Sequence, residues 1–287
     1  MSPVVSRCIV VAHNWTPAAL ETGRRERPVS AQGDVYIGMN ASDLRGTTVL
    51  VTGASRGFGR ATAVAFHAAG ANVVAVARTA EQLRQLHAEL DGSLTIVAAD
   101  VADPVVAGSL LEQYKPKTLV LNAGASPLAR PIHHQTWETF SRNWEVDVKQ
   151  AFHWIREALL LPLAPGSTVV AMSSGAAQFG SPLSGGYAGA KATIRFITGY
   201  AAEESERAGL GIRFVSLLPR LTPETDLGSP AVAAYAERSG LSVEQYLSQQ
   251  PVLLKTEDVA AHVIDLASNA ERPAGAYLIA PAGLKVL

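Results

Sequence analysis

The stretch from Thr47 to Gly59, TTVLVTGASRGFG, constrains this chain more than any other. Thr47 to Thr52 is apolar and β-branched, as a buried strand requires. Gly53, Gly57 and Gly59 follow at once, and Arg60 to Ala69 continues as a helical pattern that stops at Gly70. Glycines let the backbone turn sharply and come close to a ligand. The turn also delivers free N–H groups at a helix N-terminus, where an anion such as a diphosphate is favoured. The strand before it and the helix after it, at the head of a βαβ unit, separate this turn from an ordinary tight turn.

Strand and helix patterns then alternate to the end of the chain. Strands are expected at Asn72 to Ala77, Leu94 to Ala98, Thr118 to Leu121, Thr168 to Met172, Ile212 to Leu217 and Ala276 to Ala280. Between them fall helical patterns, among them Ala80 to Leu90, one long helix from Trp137 to Leu159, a second from Tyr187 to Ala208, and Thr256 to Ser268. Asp103-Pro104 places a capping residue and a proline at a helix start. This rhythm predicts an α/β fold, a Rossmann-like doubly wound parallel β-sheet of about seven strands with helices on both faces. Such sheets bind ligands beyond the carboxyl ends of their strands.

Composition narrows the partners. Lys and Arg number 24 against 25 Asp and Glu, a formal net charge of −1, which gives no basis for a nucleic-acid or anionic-membrane partner. The single cysteine, Cys8, excludes an intrachain disulfide and suits a reducing compartment. No uninterrupted apolar run approaches the ~20 residues that span a bilayer, and Cys8 to Ala12 is too short for a signal-peptide core. A cytoplasmic protein is the expectation.

Residues 1–40 do not share the pattern that follows, and Gly23 to Pro28 (GRRERP) reads as solvated. They are read as an N-terminal extension, with Met39 as an alternative functional start and an arm packing on a partner subunit as the other possibility. Residues 41–287 form one domain, with a mobile substrate lid near residues 220–250.

The spacing Thr52-Gly53-x-x-x-Gly57-x-Gly59 differs from the common G-x-G-x-x-G fingerprint. It resembles the T-G-x-x-x-G-x-G turn of the short-chain dehydrogenase/reductase family. Further motifs bear the resemblance out. Asn122-Ala123-Gly124 closes the fourth strand and resembles the family's N-N-A-G, with Leu121 in its first place. Ser173-Ser174 follows the fifth strand, Tyr187-Ala-Gly-Ala-Lys191 opens the long helix after it, and Ser174 lies thirteen residues before Tyr187, the family's separation. The likeness covers Leu44 to about Leu278.

The resemblance implies a dinucleotide cofactor held by Thr52, Gly53, Ser55, Arg56, Gly57, Phe58 and Gly59. It implies that Asp100, beside Val101, accepts from the adenine amino group, and that Asn122, Ala123 and Gly124 let the cofactor lie against the backbone. Ser174 would hydrogen-bond the substrate oxygen, with Ser173 structural. Tyr187 would exchange a proton with that oxygen, and Lys191 would hold the nicotinamide ribose hydroxyls. Pro219 and Thr222 would lie by the nicotinamide, with Thr225 competing for the threonine's role. Three intervening residues put Tyr187 and Lys191 on one helix face, where an ammonium favours a phenolate.

The choice of cofactor rests on charge. NAD-binding folds place an acidic residue about 20 residues past the glycines to accept from the ribose 2′-hydroxyl. Here the second strand ends Ala77-Arg78. No carboxylate repels a 2′-phosphate there and a guanidinium can bind one, with Arg56 adding a second positive charge. NADP(H) is therefore expected.

Two residues depart from the family pattern. Asp147 stands where the family has an asparagine that braces a kinked helix and a water near the lysine. Aspartate keeps the acceptor, loses the amide donor and adds charge near Lys191, whether as a proton relay or as a brake on turnover. The sixth strand ends Pro219-Arg220 instead of Pro-Gly. His133-His134 has no cysteine or carboxylate at ligand spacing, so no metal site is assigned. The reading is an NADP(H)-dependent oxidoreductase moving a hydride between nicotinamide and a carbonyl or secondary alcohol of a small organic substrate. A C=C bond reductase and a non-catalytic dinucleotide-binding regulator on the same scaffold are the alternatives. A homodimer or homotetramer through Trp144 to Leu159 and Ile194 to Ala208 is what the family implies.

Overall fold

The computed structural model describes residues 44–250 and 253–287. The N-terminal extension and its Met39 boundary lie outside the described residues. The first strand, β1 (Thr48–Thr52), runs into α1 (Gly57–Ala68), β2 (Asn72–Ala77), α2 (Ala80–Glu89), β3 (Thr95–Ala98) and α3 (Pro104–Tyr114). β4 (Thr118–Leu121) leads through α4 (Trp137–Asn143) and α5 (Lys149–Leu160) to β5 (Thr168–Met172). A short α6 (Ala176–Phe179) and the long α7 (Gly185–Arg207) precede β6 (Arg213–Leu218). Then come α8 (Gly228–Arg238), α9 (Val243–Ser248), α10 (Thr256–Ser268), β7 (Gly275–Ala280) and β8 (Gly283–Val286).

The strands form one sheet in the order β3-β2-β1-β4-β5-β6-β7-β8, parallel except for β8, which pairs antiparallel with β7. The Rossmann-like doubly wound expectation holds, with eight strands where about seven were expected. β8 escapes a periodicity reading because four residues behind a two-residue turn carry no pattern, and an antiparallel edge strand on a parallel sheet is common. Alternation along the strands splits the core. Val49 and Val51 face α1, α2 and α10 through Phe66, Leu83 and Val263, while Leu50 faces α3, α5 and α7 through Leu111, Trp154 and Ile194.

The single long helix expected from Trp137 to Leu159 is interrupted. Residues Trp144–Val148 form a π-helical turn between α4 and α5. Such turns concentrate at functional sites because they redirect a side chain without ending the helix, and the side chain redirected here is Asp147. The segment read as a lid is mostly helical, α8 and α9, the latter started by a capping box between Ser242 and Gln245.

Candidate active site

β1 and β4 are neighbours in space but their crossovers leave in opposite directions, which opens a crevice at the carboxyl ends of the strands. A cavity of about 590 Å³ occupies it, reaching from the glycine turn to α8 and α9. At one end, Gly53 (φ +66°) and Gly57 (φ +53°) adopt the left-handed backbone that glycine tolerates. A Cβ on Gly53 would stand 2.7 Å from the Ala123 Cα, so the turn is pressed against the segment after β4. Two polar side chains brace that contact. Thr52 Oγ1 donates to the Val120 carbonyl at 3.2 Å and accepts from the N–H groups of Asn122 and Ala123 at 2.9 and 3.2 Å. Asn122 Nδ2 donates to the carbonyls of Thr52 and Gly53 at 3.2 and 3.3 Å.

Ser55, Arg56, Gly57 and Phe58 line the cleft, as do Gly53, Asn122, Ala123 and Gly124. Thr52 and Gly59 do not. Thr52 is fully buried, and a Cβ on Gly59 would collide with the Gly53 carbonyl. Both shape the turn from beneath it. α1 opens with no side-chain cap and no acidic residue in its first turn, so its N-terminal N–H groups have no side-chain oxygen to accept from them.

Further along the crevice, Arg78 is exposed at the end of β2. Asp100 and Val101 line the wall after β3, and Asp100 Oδ1 accepts from the Ala102 N–H at 3.0 Å. The capping duty falls to Asp103, whose side chain accepts from Val105 N at 2.8 Å at the start of α3. Arg56 is not free beside Arg78: it pairs with Asp226 at 2.9 Å, with both side chains more than half exposed.

The other end holds Ser174, Tyr187 and Lys191 on the same cavity wall system. Tyr187 is placed by Gly186, in the first turn of α7. A Cβ on Gly186 would overlap the Phe140 carbonyl, so only glycine lets α7 seat this close to α4. Ser173 Oγ donates to the Lys191 carbonyl at 2.8 Å, tying the end of β5 to α7. Ser174 Oγ accepts from Ala176 N at 3.2 Å at the start of α6.

Lys191 is 5% exposed and Asp147 is fully buried. The Lys191 Nζ lies 3.1 Å from Asp147 Oδ2, donates to the Met172 carbonyl at 3.1 Å, and sits 5.5 Å from the Tyr187 ring centre. Asp147 Oδ2 accepts no well-directed hydrogen bond, so its contact with Lys191 is an ion pair in character. Burial pulls the ammonium down, but the Asp147 carboxylate and Tyr187 outweigh it and hold Lys191 above the usual lysine range.

Asp147 Oδ1 accepts from Ala125 N at 2.8 Å and from Asn143 Nδ2 at 3.4 Å, and Asn143 Nδ2 also donates to the Ala125 carbonyl at 2.6 Å. Sequence reasoning missed Asn143. Its signal was its place four residues before Asp147, on the same helix face.

Pro219 and Thr222 line the cleft. The Thr222 hydroxyl is buried and donates to the Leu254 carbonyl, whereas Thr225 packs its methyl toward Gly57 and accepts from Gly228 N at 2.9 Å just before α8. His133 and His134 are exposed, and no cluster of three metal-ligating side chains occurs among the described residues.

The sheet order, the switch-point cleft and the glycine turn define the doubly wound nucleotide-binding class of α/β folds. The sequence pattern of short chain dehydrogenases matches residues 47–235, and the chain belongs to that family. It is 37% identical over 138 residues to the L-xylulose reductase of Mesocricetus auratus, covering 47% of this chain and 56% of that one. The chain thus spans little more than half the length of that relative. It is 33% identical over 169 residues to Carbonyl reductase (NADPH) 2 of Sus scrofa, covering 58% of this chain and 67% of the other. Among solved structures, a putative NAD(P) dependent gluconate 5-dehydrogenase from Beutenbergia cavernae superposes with a TM-score of 0.71 at 27% identity, over 82% of this chain and 96% of that one. Among the described residues no helix is long and apolar enough to cross a membrane.

Proposed function

We propose that the chain is an NADP(H)-dependent oxidoreductase that moves a hydride between the nicotinamide and a carbonyl or secondary alcohol of a small organic substrate. The observation that carries this reading is the buried Lys191 ammonium, fixed by Asp147 and Met172 and facing the Tyr187 ring in the cleft that Ser174 also lines.

The donor set fits a dinucleotide. The uncapped start of α1 suits a diphosphate. Asp100 keeps a carboxylate oxygen for an amino group, and Arg78 offers a guanidinium to a 2′-phosphate. Arg56 can join it, because an exposed ion pair such as Arg56–Asp226 is worth only about 0–1 kcal/mol. The Sus scrofa relative's name specifies NADPH, in line with this preference. When bound, the nicotinamide supplies or accepts the hydride.

The protein's own groups handle the oxygen. Tyr187 gives its proton to the carbonyl oxygen in reduction and takes it back in oxidation. Ser174 donates a hydrogen bond to the same oxygen and stabilises the negative charge that builds there. Lys191 has three N–H donors. Met172 engages one and the ion pair with Asp147 fixes the ammonium, leaving an N–H for a ribose hydroxyl.

The exposed apolar residues Phe152 on α5 and Phe196 and Tyr200 on α7 support assembly through these helices as a homodimer or homotetramer. A cytoplasmic setting completes the reading. The test is a Tyr187→Phe variant assayed for NADPH oxidation against a panel of carbonyl compounds, with NADPH binding followed by fluorescence. Lost turnover with retained binding is expected. Turnover at the parent rate would remove Tyr187 from the chemistry.

A further inference from the structure

The charges that line the cleft are mostly answered within the protein. Arg56 pairs with Asp226 at 2.9 Å and Lys191 with Asp147 at 3.1 Å, while Asp100 takes an N–H from its own turn. Two cleft cations have no carboxylate within ion-pair distance among the described residues, Arg78 and Arg220. Arg78 stands near the glycine turn. Arg220 stands at the other end.

Arg220 follows Pro219 at the end of β6, in the place where a glycine would present no side chain. Gly175, directly after Ser174, donates its N–H to the Pro219 carbonyl at 2.8 Å, and a Cβ on Gly175 would lie 3.8 Å from Arg220 Cγ. The side chain therefore leaves the backbone beside the serine that is to hold the substrate oxygen. Its guanidinium lies 5.2 Å from the ring centre of Phe179, which is 63% exposed and itself lines the cleft. Its Nε is buried with no hydrogen-bond partner. The group is positioned by stacking on an aromatic face, and no acceptor among the described residues occupies its fork. A guanidinium is planar and matches a carboxylate or phosphate with two parallel hydrogen bonds.

Among the described residues the α8–α9 side of the cleft is mainly neutral, and the carboxylate that lines it there, Asp226, is paired with Arg56. Ser181 and Tyr235 share a hydrogen bond at 2.5 Å, Tyr235 stacks on Tyr246, and Gln250 completes a neutral polar surface.

We propose that Arg220 is a specificity-determining residue that receives an oxyanion on the substrate, so that the preferred substrate is a small carbonyl compound bearing a carboxylate or phosphate. This rests on the oxidoreductase reading above and names the substrate class for the same cleft.

The experiment compares matched pairs, a 2-oxo acid with its methyl ester and a phosphorylated ketone with its unphosphorylated parent, for the full chain and for Arg220→Gln and Arg220→Lys. NADPH oxidation gives kcat and KM, and thermal shift without cofactor gives binding. The parent should prefer the anionic member of one pair by about tenfold to a hundredfold in kcat/KM, the range of a charge-assisted hydrogen bond. The pair that shows the preference identifies carboxylate or phosphate. Arg220→Gln should erase the ratio through KM, and Arg220→Lys should keep part of it. Equal turnover of both members, or a preference that survives in Arg220→Gln, overturns the anion site and leaves the oxidoreductase reading standing. Arg220-dependent thermal stabilisation by the anions with no NADPH oxidation overturns the oxidoreductase reading and keeps the anion site. Neither signal overturns both.

Discussion

Replacing Asp147 with asparagine removes one charge and almost no volume, and the structure says what that costs. The side chains of Lys191 and Asp147 are 6% and 1% exposed, so solvent does not screen their contact at 3.1 Å. Asparagine cannot substitute by rotating. Asp147 Oδ1 accepts from Ala125 N at 2.8 Å and from Asn143 Nδ2 at 3.4 Å, so an amide must keep its oxygen there and turn its NH2 toward a lysine that has only donors. Breaking a buried pair by removing one partner costs about 3–5 kcal/mol. For a domain of this size about 2–4 °C of melting temperature goes with each kcal/mol, so Asp147→Asn should melt at least about 6 °C lower at pH 7.5.

The pH dependence has a definite sign. Lys191 is held above its ordinary range, so its charged form contributes stability that is fully present below its unfolded pKa of about 10.4 and is lost as pH rises through the folded value. Without Asp147, burial is left to pull the ammonium down, and deprotonation relieves the variant. The gap between parent and variant should therefore narrow from pH 7.5 toward pH 10. Circular-dichroism melts at both pH values decide it. A shift below about 2 °C at pH 7.5, or a gap that widens with pH, would refute the reasoning.

Arg78→Ala should weaken NADPH binding by about tenfold to a hundredfold, as loss of a charge-assisted hydrogen bond does, and leave NADH binding nearly unchanged in a fluorescence titration. Gly186→Ala should destabilise the protein by about 1–3 kcal/mol or more in urea unfolding, because the added methyl overlaps the Phe140 carbonyl. Trp154→Phe should cost about 1–3 kcal/mol, since the fully buried indole donates to the Val101 carbonyl at 2.9 Å and its removal strands that acceptor. Asn143→Ala and Asp147→Ala, which act on the two backbone groups of Ala125, should couple by about 0.5–3 kcal/mol in a double-mutant cycle, and additive losses would separate them.

The strands were legible because each carries its own pattern. Asn72–Ala77, Thr118–Leu121 and Thr168–Met172 are buried apolar runs bounded by glycines or polar residues, and their limits are those expected. What stayed hidden depends on contacts distant in sequence. The π-helical turn at Trp144–Val148 leaves the apolar pattern of a long helix intact, so its break is set by the packing of Asp147 against Ala125 and Lys191. The role of Thr52 likewise follows from Asn122 and Ala123, some 70 residues on. A motif reading assigns Thr52 to the cofactor because it travels with the glycines, while the geometry sets it one layer below.

The two departures from the family pattern then make sense of each other's absence of damage. An aspartate in place of an amide would be a buried charge lacking a donor, yet both deficits are met locally. Asn143 supplies the lost amide N–H, gripping the Ala125 carbonyl while Asp147 grips the N–H of the same residue, and Lys191 supplies the counter-charge. The added negative charge is therefore answered within one pair, at the end of the cleft that also holds Ser174 and Tyr187. There Arg220 adds a positive charge with no carboxylate partner among the described residues. One substitution is neutralised inside the protein and the other is not. That asymmetry is why Asp147 is tested by unfolding and Arg220 by the charge of what the cleft accepts.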